Sequence, residues 1–193
     1  ITYAVALSLC PGTGELYVAG IKRIGSNDTV CLWTKPDTGT VSETELGLEG
    51  NTAYTDSMPY GLCTAGSSVY VAGGNLWKVD GATFTPITVP GFKEGYKLCA
   101  SEGTVYAAGI TTAGKAAVWK IEGTNAFLHK ELSADTSEVF ALCAAGNDLF
   151  AAGTVFDGDE KPVWWHITAD GTVIEHKLST DKGKARGICV TPR

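Results

Sequence analysis

Six cysteines are the residues of this sequence whose type and number could most readily do chemistry, as disulfides or as thiolate ligands of a metal ion. No two of them have the CxxC spacing on which many zinc and iron sites are built. Four instead stand ten residues before a glycine, in LCPGTGELYVAG, LCTAGSSVYVAG, LCASEGTVYAAG and LCAAGNDLFAAG (Cys10, Cys63, Cys99 and Cys143). Equivalent positions on neighbouring units should lie beyond the ~7 Å Cα separation that a disulfide tolerates. We therefore predict small thiols packed between units, without a metal site.

The three histidines do not belong to a catalytic motif. His129 and His176 hold matched places in FLHKEL and IEHKL, so they are features of a repeat, and His166 stands alone. The sequence contains no G-x-S-x-G, no H-E-x-x-H and no P-loop. It therefore predicts no catalytic residue and no cofactor.

The densest acidic cluster is DGDE, with Asp157, Asp159 and Glu160. Alternating carboxylates can bind calcium, but the run of oxygen ligands that an EF-hand needs is missing. We interpret the cluster as the solvated tip of a hairpin.

The cysteine stretches are part of a longer repeat that organises the chain. An aromatic residue stands three residues before each of the four glycines, and a tryptophan, a turn and an alternating polar segment follow (VSETEL, FTPITV, FLHKEL and VIEHKL). Four short strands per unit are typical of a β-propeller blade. The sequence predicts one all-β domain over 1–193, a β-propeller or a fragment of one. Its four-stranded antiparallel blades are predicted at about 3–47, 60–90, 96–133 and 139–180.

A fifth unit begins at 185–193 with ARGICVTPR, in which Cys189 takes the repeat position. We expect it to form one extra inner strand, although the first blade already has its own. Three interpretations stay open: a fragment of a longer propeller, a clasp on the edge of the first blade, or strands supplied by a partner chain. An open array would expose strand edges and favour homo-oligomers.

Three of these stretches, SSVYVAGGNLWKVDG (67–81), VYAAGITTAGKAAVWKIEG (105–123) and AAGNDLFAAG (144–153), resemble tandem repeats of uncharacterised Bacteroides-type secreted proteins and lipoproteins. A kelch-like propeller is a weaker resemblance, carried by Gly73–Gly74 alone. The resemblance implies a propeller and an exported bacterial protein, in the periplasm or at the cell surface. It implies no activity. The unpaired cysteines taken alone favour a reducing compartment.

Candidate binding residues lie where the repeat varies, because loops on a constant framework commonly carry recognition. They comprise the segments 21–28 and 154–162, the long connection 47–60 and the connection before the third blade (Lys22, Arg23, Asn27, Asp28, Tyr54, Tyr60, Phe92, Tyr96, Asp157, Asp159 and Glu160). In a closed ring the basic segment 21–28 and the acidic segment 154–162 would lie side by side. The loop aromatics are equally compatible with binding and with filling gaps between blades.

The pair Trp164–Trp165 adds one more candidate. Neighbouring residues on a strand face opposite ways, so only one of the two can occupy the core position of the repeat. Trp165 has the six-residue spacing to Gly171 that Trp33 has to Gly39. We therefore predict Trp165 in the core and Trp164 on a contact surface.

Charge and hydropathy limit the classes of partner that this sequence could bind. The formal net charge is −6 and the sequence has no Lys/Arg cluster, which argues against nucleic acid. No apolar run is long enough to span a membrane. We predict a non-enzymatic binding or scaffold module for a protein or a glycan. The alternatives are a carbohydrate-active enzyme, which would need converging carboxylates near the axis, and a purely structural part of a longer protein.

Overall fold

The computed structural model describes residues 2–24, 27–46, 61–72 and 76–190. Within those ranges the chain forms β-strands and no helix, in four antiparallel sheets whose strands follow chain order. Blade 1 contains β1 (Thr2–Pro11), β2 (Glu15–Ile24), β3 (Asn27–Pro36) and β4 (Ser42–Leu46). Blade 2 contains β5 (Gly61–Ala65), β6 (Ser68–Ala72), β7 (Leu76–Asp80) and β8 (Thr83–Ile87).

The other two sheets have the same order. Blade 3 contains β9 (Phe92–Ser101), β10 (Thr104–Thr111), β11 (Ala116–Glu122) and β12 (Asn125–Glu131). Blade 4 contains β13 (Ser137–Ala145), β14 (Asp148–Asp157), β15 (Asp159–Ile167) and β16 (Val173–Lys177). Tight turns make this possible, as at Gly146, where a φ of 57° lies in the left-handed region that suits glycine. The predicted all-β propeller of four-stranded blades is confirmed.

Each blade has two unlike faces, because side chains alternate along a strand. The cysteine face carries the repeat cysteine and, directly across from it on the second strand, an aromatic ring (Cys10↔Tyr17, Cys63↔Tyr70, Cys99↔Tyr106 and Cys143↔Phe150). The tryptophan face carries the repeat tryptophan and the small or branched residue paired with it (Val18↔Trp33, Val71↔Trp77, Ala107↔Trp119 and Ala151↔Trp165).

The core consists of three apolar clusters, and each joins the cysteine face of one blade to the tryptophan face of the next. Trp77, Trp119 and Trp165 are 2%, 0% and 0% exposed in these clusters. Trp33, on the tryptophan face of blade 1, is only partly buried. Among the described residues, therefore, the tryptophan face of blade 1 and the cysteine face of blade 4 have no neighbouring blade.

The repeat glycine faces a bulge in the inner strand. In blade 4, Val139 pairs with Gly153 and Ala141 with Ala152, which leaves Phe140 as the extra residue. The same irregularity lies opposite Gly20 in blade 1 and next to Gly109 in blade 3. A Cβ on Gly153 would overlap the carbonyl oxygen of Glu138 and lie 2.9 Å from Cζ3 of Trp165. The glycine is therefore required by the close approach of the bulged strand.

Three segments predicted as loops are strands. The segment 154–162 is a hairpin in which β14 reaches Asp157, β15 starts at Asp159, and Gly158 turns with a φ of 72°. The segment 21–28 likewise extends β2 and begins β3, and Phe92 and Tyr96 lie within β9. Antiparallel pairing continues past the buried part of each blade, because backbone hydrogen bonds need no apolar neighbour.

The extra inner strand expected at 185–193 is not a strand over 185–190, and 191–193 lie outside the described residues. The segment lies against blade 4, not on the edge of blade 1: Gly183 N–H donates to Glu160 O (2.9 Å) and Ala185 N–H to Gly153 O (3.2 Å). Beyond these two contacts at its start, the segment makes no backbone hydrogen bond to the described strands and therefore has no β-pairing. Among the described residues the apolar clusters join consecutive blades only, so they do not form the closed ring on which the predicted meeting of 21–28 with 154–162 depends.

Candidate functional site

A groove of about 490 Å³ lies on the cysteine face of blade 4, the face that no described blade covers. One wall is the sheet, with Phe150 and Ala152 from β14, Trp164 from β15 and Leu178 just beyond β16. The other wall is the segment 185–190, which contributes the remaining lining residues (Ala185, Gly187, Ile188, Cys189 and Val190). We call this space the blade 4 groove.

Stacked rings form a layer along the sheet wall. Trp164 stacks on His176 with centroids 4.0 Å apart and planes 9° apart, and Phe150 stacks on His166 at 4.7 Å and 8°. Phe150 and Trp164 are 6.4 Å apart. These residues are on one face because cross-strand pairing places Phe150 opposite His166 and Trp164 opposite His176. Four rings on three strands give a broad and rigid contact surface.

A hydrogen bond from the first hairpin anchors one end of this layer. Nε2 of His166 lies 2.8 Å from Oδ2 of Asp148, and the other carboxylate oxygen of Asp148 accepts from the backbone N–H of Ala169 (2.9 Å). The carboxylate thus orients the imidazole flat against Phe150. In this arrangement the His166–Asp148 hydrogen bond fixes the position of the imidazole within the layer of stacked rings.

The segment 183–190 is held in place by polar contacts at its start. Lys184 Nζ lies 2.7 Å from Oε1 of Glu160 and 3.6 Å from Oε2 of Glu138. The hydrogen bond from Lys184 holds the pKa of Glu160 below its ordinary value. Lys184 and Arg186 also lie over the ring of Phe140, the bulge residue, at 5.4 and 5.1 Å. Charged side chains therefore stabilise the wall formed by this segment, while the lining of the groove is apolar.

Several large apolar side chains near the groove are exposed to solvent. Leu178 is 58% exposed, Ile174 40% and Val190 37%. Exposed aliphatic side chains next to an aromatic layer are the usual composition of a contact surface.

The structure brings only part of the predicted site together. Trp164 lines the groove, whereas Trp165 is fully buried and donates from Nε1 to Oε2 of Glu175 (3.1 Å). Glu160 is used to brace the segment through Lys184. Asp157 and Asp159 are exposed at the hairpin tip, where Asp157 lies 3.9 Å from Lys177.

The remaining candidates lie elsewhere. Lys22 forms ion pairs with Glu43 (2.6 Å) and Glu45 (3.4 Å), and the hydrogen bond to Glu43 raises the pKa of Lys22. Phe92 packs edge-on against Trp119 at 5.1 Å, so it fills the core between blades 2 and 3. Arg23, Asn27, Asp28 and Tyr96 lie in β2, β3 and β9, with the side chains of the last three outside the described residues. Tyr54 and Tyr60 also lie outside them.

Sequence reasoning missed Phe150, His166 and His176 as neighbours of Trp164. Part of the signal was present, because strand alternation places Trp164 and His166 on one face of β15. What was lacking was the register between the strands. The groove itself depends on the path of 178–190, for which no periodic pattern existed.

The cysteines of the described chain are all unpaired. Burial raises the pKa of Cys63 and raises that of Cys99 to about 12, so both thiols stay protonated near neutral pH.

Across the described ranges no three His, Cys, Asp or Glu side chains are grouped so that they could hold a metal ion. In those same ranges, no helix is long and apolar enough to cross a membrane.

Comparison with known proteins shows the fold. No protein-family model matches the chain, and no curated protein matches it either. Among solved structures it is similar to YjhT (TM-score 0.61, 10% identity, 92% of this chain and 67% of that one). It is also similar to YCF48 bound to a D1 peptide (0.59, 14%, 96% and 57%) and to the computationally designed protein Ika4 (0.52, 15%, 91% and 92%). The chain thus spans little more than half of the YCF48 chain. At these identities the likeness shows the fold alone, a β-propeller of four-stranded blades.

Proposed function

We propose that this protein is a non-enzymatic binding module that holds an apolar stretch of a partner polypeptide in the blade 4 groove. One observation carries the proposal: a space of about 490 Å³ is lined by apolar side chains, glycine and a single cysteine. That volume is within the range of ligand pockets, roughly 300–1,000 Å³. Rigid rings such as Trp164 and Phe150 contribute contact area at a small cost in side-chain entropy.

The composition of the groove favours a polypeptide over a glycan. A sugar that stacks on a tryptophan also needs polar side chains around the ring to bind its hydroxyl groups. Of the polar groups beside the rings, His166 and Asp148 already bond each other. YCF48, one of the proteins of similar fold, has been solved with a D1 peptide bound, which supports the choice of a polypeptide for this chain.

The test compares a peptide library with a glycan array on the same immobilised protein. We expect apolar peptides to bind, and Leu178→Asp to weaken the best of them by about tenfold or more, because a carboxylate at the groove mouth stays hydrated. Leu128→Asp is the matched control, since Leu128 is similarly exposed (52% against 58%) but lies on β12, away from the groove. Binding of glycans only, or equal binding by both variants, would overturn the proposal.

A further inference from the structure

The four blades share one pairing rule for the inner strand. In each of them the repeat cysteine lies directly across from an aromatic residue of the second strand (Tyr17, Tyr70, Tyr106 and Phe150). The residue two places before the cysteine lies opposite an alanine, for example Ala141 opposite Ala152. An inner strand of this protein therefore specifies its partner: an aromatic residue, then a small or branched one, then alanine.

The segment 186–190 occupies the place of a fifth inner strand without being paired like one. Cys189 and Val190 lie near Cys143, as Cys143 lies near Cys99, so the series of repeat cysteines continues onto this segment. Ile188 contributes to the groove as its counterpart Leu142 contributes to the cluster between blades 3 and 4. Among the described residues, no backbone hydrogen bond joins 186–189 to a strand.

The groove is the space that the next blade would fill. Between blades 3 and 4, the side chains of Leu149, Ala151 and Trp165 pack in one cluster with Tyr106 and Ala108. On blade 4 the counterparts of the latter two are Phe150 and Ala152, and both line the groove. The groove therefore has the place that the second and third strands of a blade would take beside a segment at the first-strand position.

We propose that the partner polypeptide enters as a β-strand that pairs antiparallel with 186–190, with an aromatic side chain opposite Cys189 and a small one opposite Gly187. This deepens the proposed function, on which it rests, by naming the kind of segment that the groove takes. Strand addition to an unpaired edge is an established mode of peptide recognition, in which backbone hydrogen bonds give affinity and alternate side chains give specificity.

An intact second copy fits this place less well than a strand. Its blade 1 would bring its own inner strand β1, but 183–190 already occupies the inner-strand position next to blade 4. A partner that supplies only the second and third strands meets no such obstacle.

The probe is a synthetic peptide, SSVYVAGGNLWKVD, which has the sequence of residues 67–80 and carries the expected pattern at Tyr70, Val71 and Ala72. We expect the fluorescein-labelled peptide to bind the 193-residue protein, and the same peptide with Tyr70→Ser to bind about tenfold more weakly, as loss of an aromatic anchor commonly costs. Hydrogen exchange measured by mass spectrometry should show added amide protection in 186–190 when the peptide is bound, because backbone pairing would engage N–H groups that make no backbone hydrogen bond to a described strand in the free protein.

The outcomes separate this inference from the function on which it rests. Binding without protection of 186–190, or library peptides that bind while this one does not, overturns strand addition and leaves a polypeptide-binding groove. Failure of every peptide overturns both. A dimer in sedimentation velocity that Leu178→Asp dissociates would assign the groove to a second copy and also overturn the strand proposal.

Discussion

Trp164 and Trp165 are adjacent in the chain and have opposite environments. Trp165 is fully buried between blades 3 and 4, whereas Trp164 is half-buried and stacks on His176 beside the groove. The difference follows from the two-residue period of a strand and needs no further cause. At the residue scale, alternate positions of β15 thus face the packed core and the blade 4 groove.

We expect Trp165→Ala to lower the free energy of unfolding by about 3–5 kcal/mol, because it leaves a cavity in a packed cluster. Trp164→Ala should cost less than about 2 kcal/mol, since water already reaches part of the ring. Urea denaturation followed by circular dichroism measures both. Equal losses would show that the two rings are equally buried, contrary to the structure.

The hairpin and its bulge are the features that matter at the element scale. Three inner strands carry an extra residue beside the repeat glycine, and in blades 1, 3 and 4 this residue is Leu7, Tyr96 and Phe140. Tyr96 was singled out from sequence as a loop aromatic, yet its backbone is the bulge of β9. A bulge cannot be recognised in a single strand, because it is defined by the residues of the strand opposite.

Gly153 lies opposite the bulge of blade 4, so replacing it tests directly whether the bulged strand requires a glycine there. We expect Gly153→Ala to destabilise the fold by about 1–3 kcal/mol or more, because the added methyl group meets the backbone of Glu138, which cannot move aside as a side chain can. Gly187→Ala is the matched control, since a Cβ there has open space around it. Thermal melts of the two variants measure the effect, and a Gly153→Ala melt equal to that of the parent protein would contradict it.

At the scale of the whole molecule, the described residues form a series of four blades with two unlike end faces, and the segment 183–190 covers part of one of them. Its attachment depends on Lys184 between Glu160 and Glu138, and both partners are partly exposed. Such solvent-exposed ion pairs contribute little to global stability. They can nevertheless decide whether one short segment stays in place.

We expect Lys184→Met to accelerate amide exchange in 183–190 and to leave the rest of blade 4 unchanged, with Lys177→Met as the exposed control. The attachment should also weaken in acid. Because Lys184 lowers the pKa of Glu160 in the folded protein, the contribution of this pair is present above the ordinary glutamate pKa of 4.5 and is lost as the pH falls below it. Exchange of 183–190 that does not change as the pH is lowered from 7 through and below the range in which Glu160 takes up its proton, after correction for intrinsic rates, would show that the ion pair does not hold the segment.

The sequence by itself determined the blades. A cysteine, an aromatic residue, a glycine and a tryptophan at constant spacing were enough to predict four-stranded units, and strand alternation was enough to separate Trp164 from Trp165. These features are local, because they depend on residue type and on a period of two along one strand.

Only the tertiary structure decided where the blade 4 groove lies. It showed that Glu160 forms an ion pair with Lys184 of the segment 183–190, and that the segment around Cys189 lies against blade 4 without β-pairing. Each of these facts depends on which strand lies beside which, and on a path between elements that no repeat specifies. A groove is the space left between such elements, so it has no residue pattern of its own and appears only when the chain is folded.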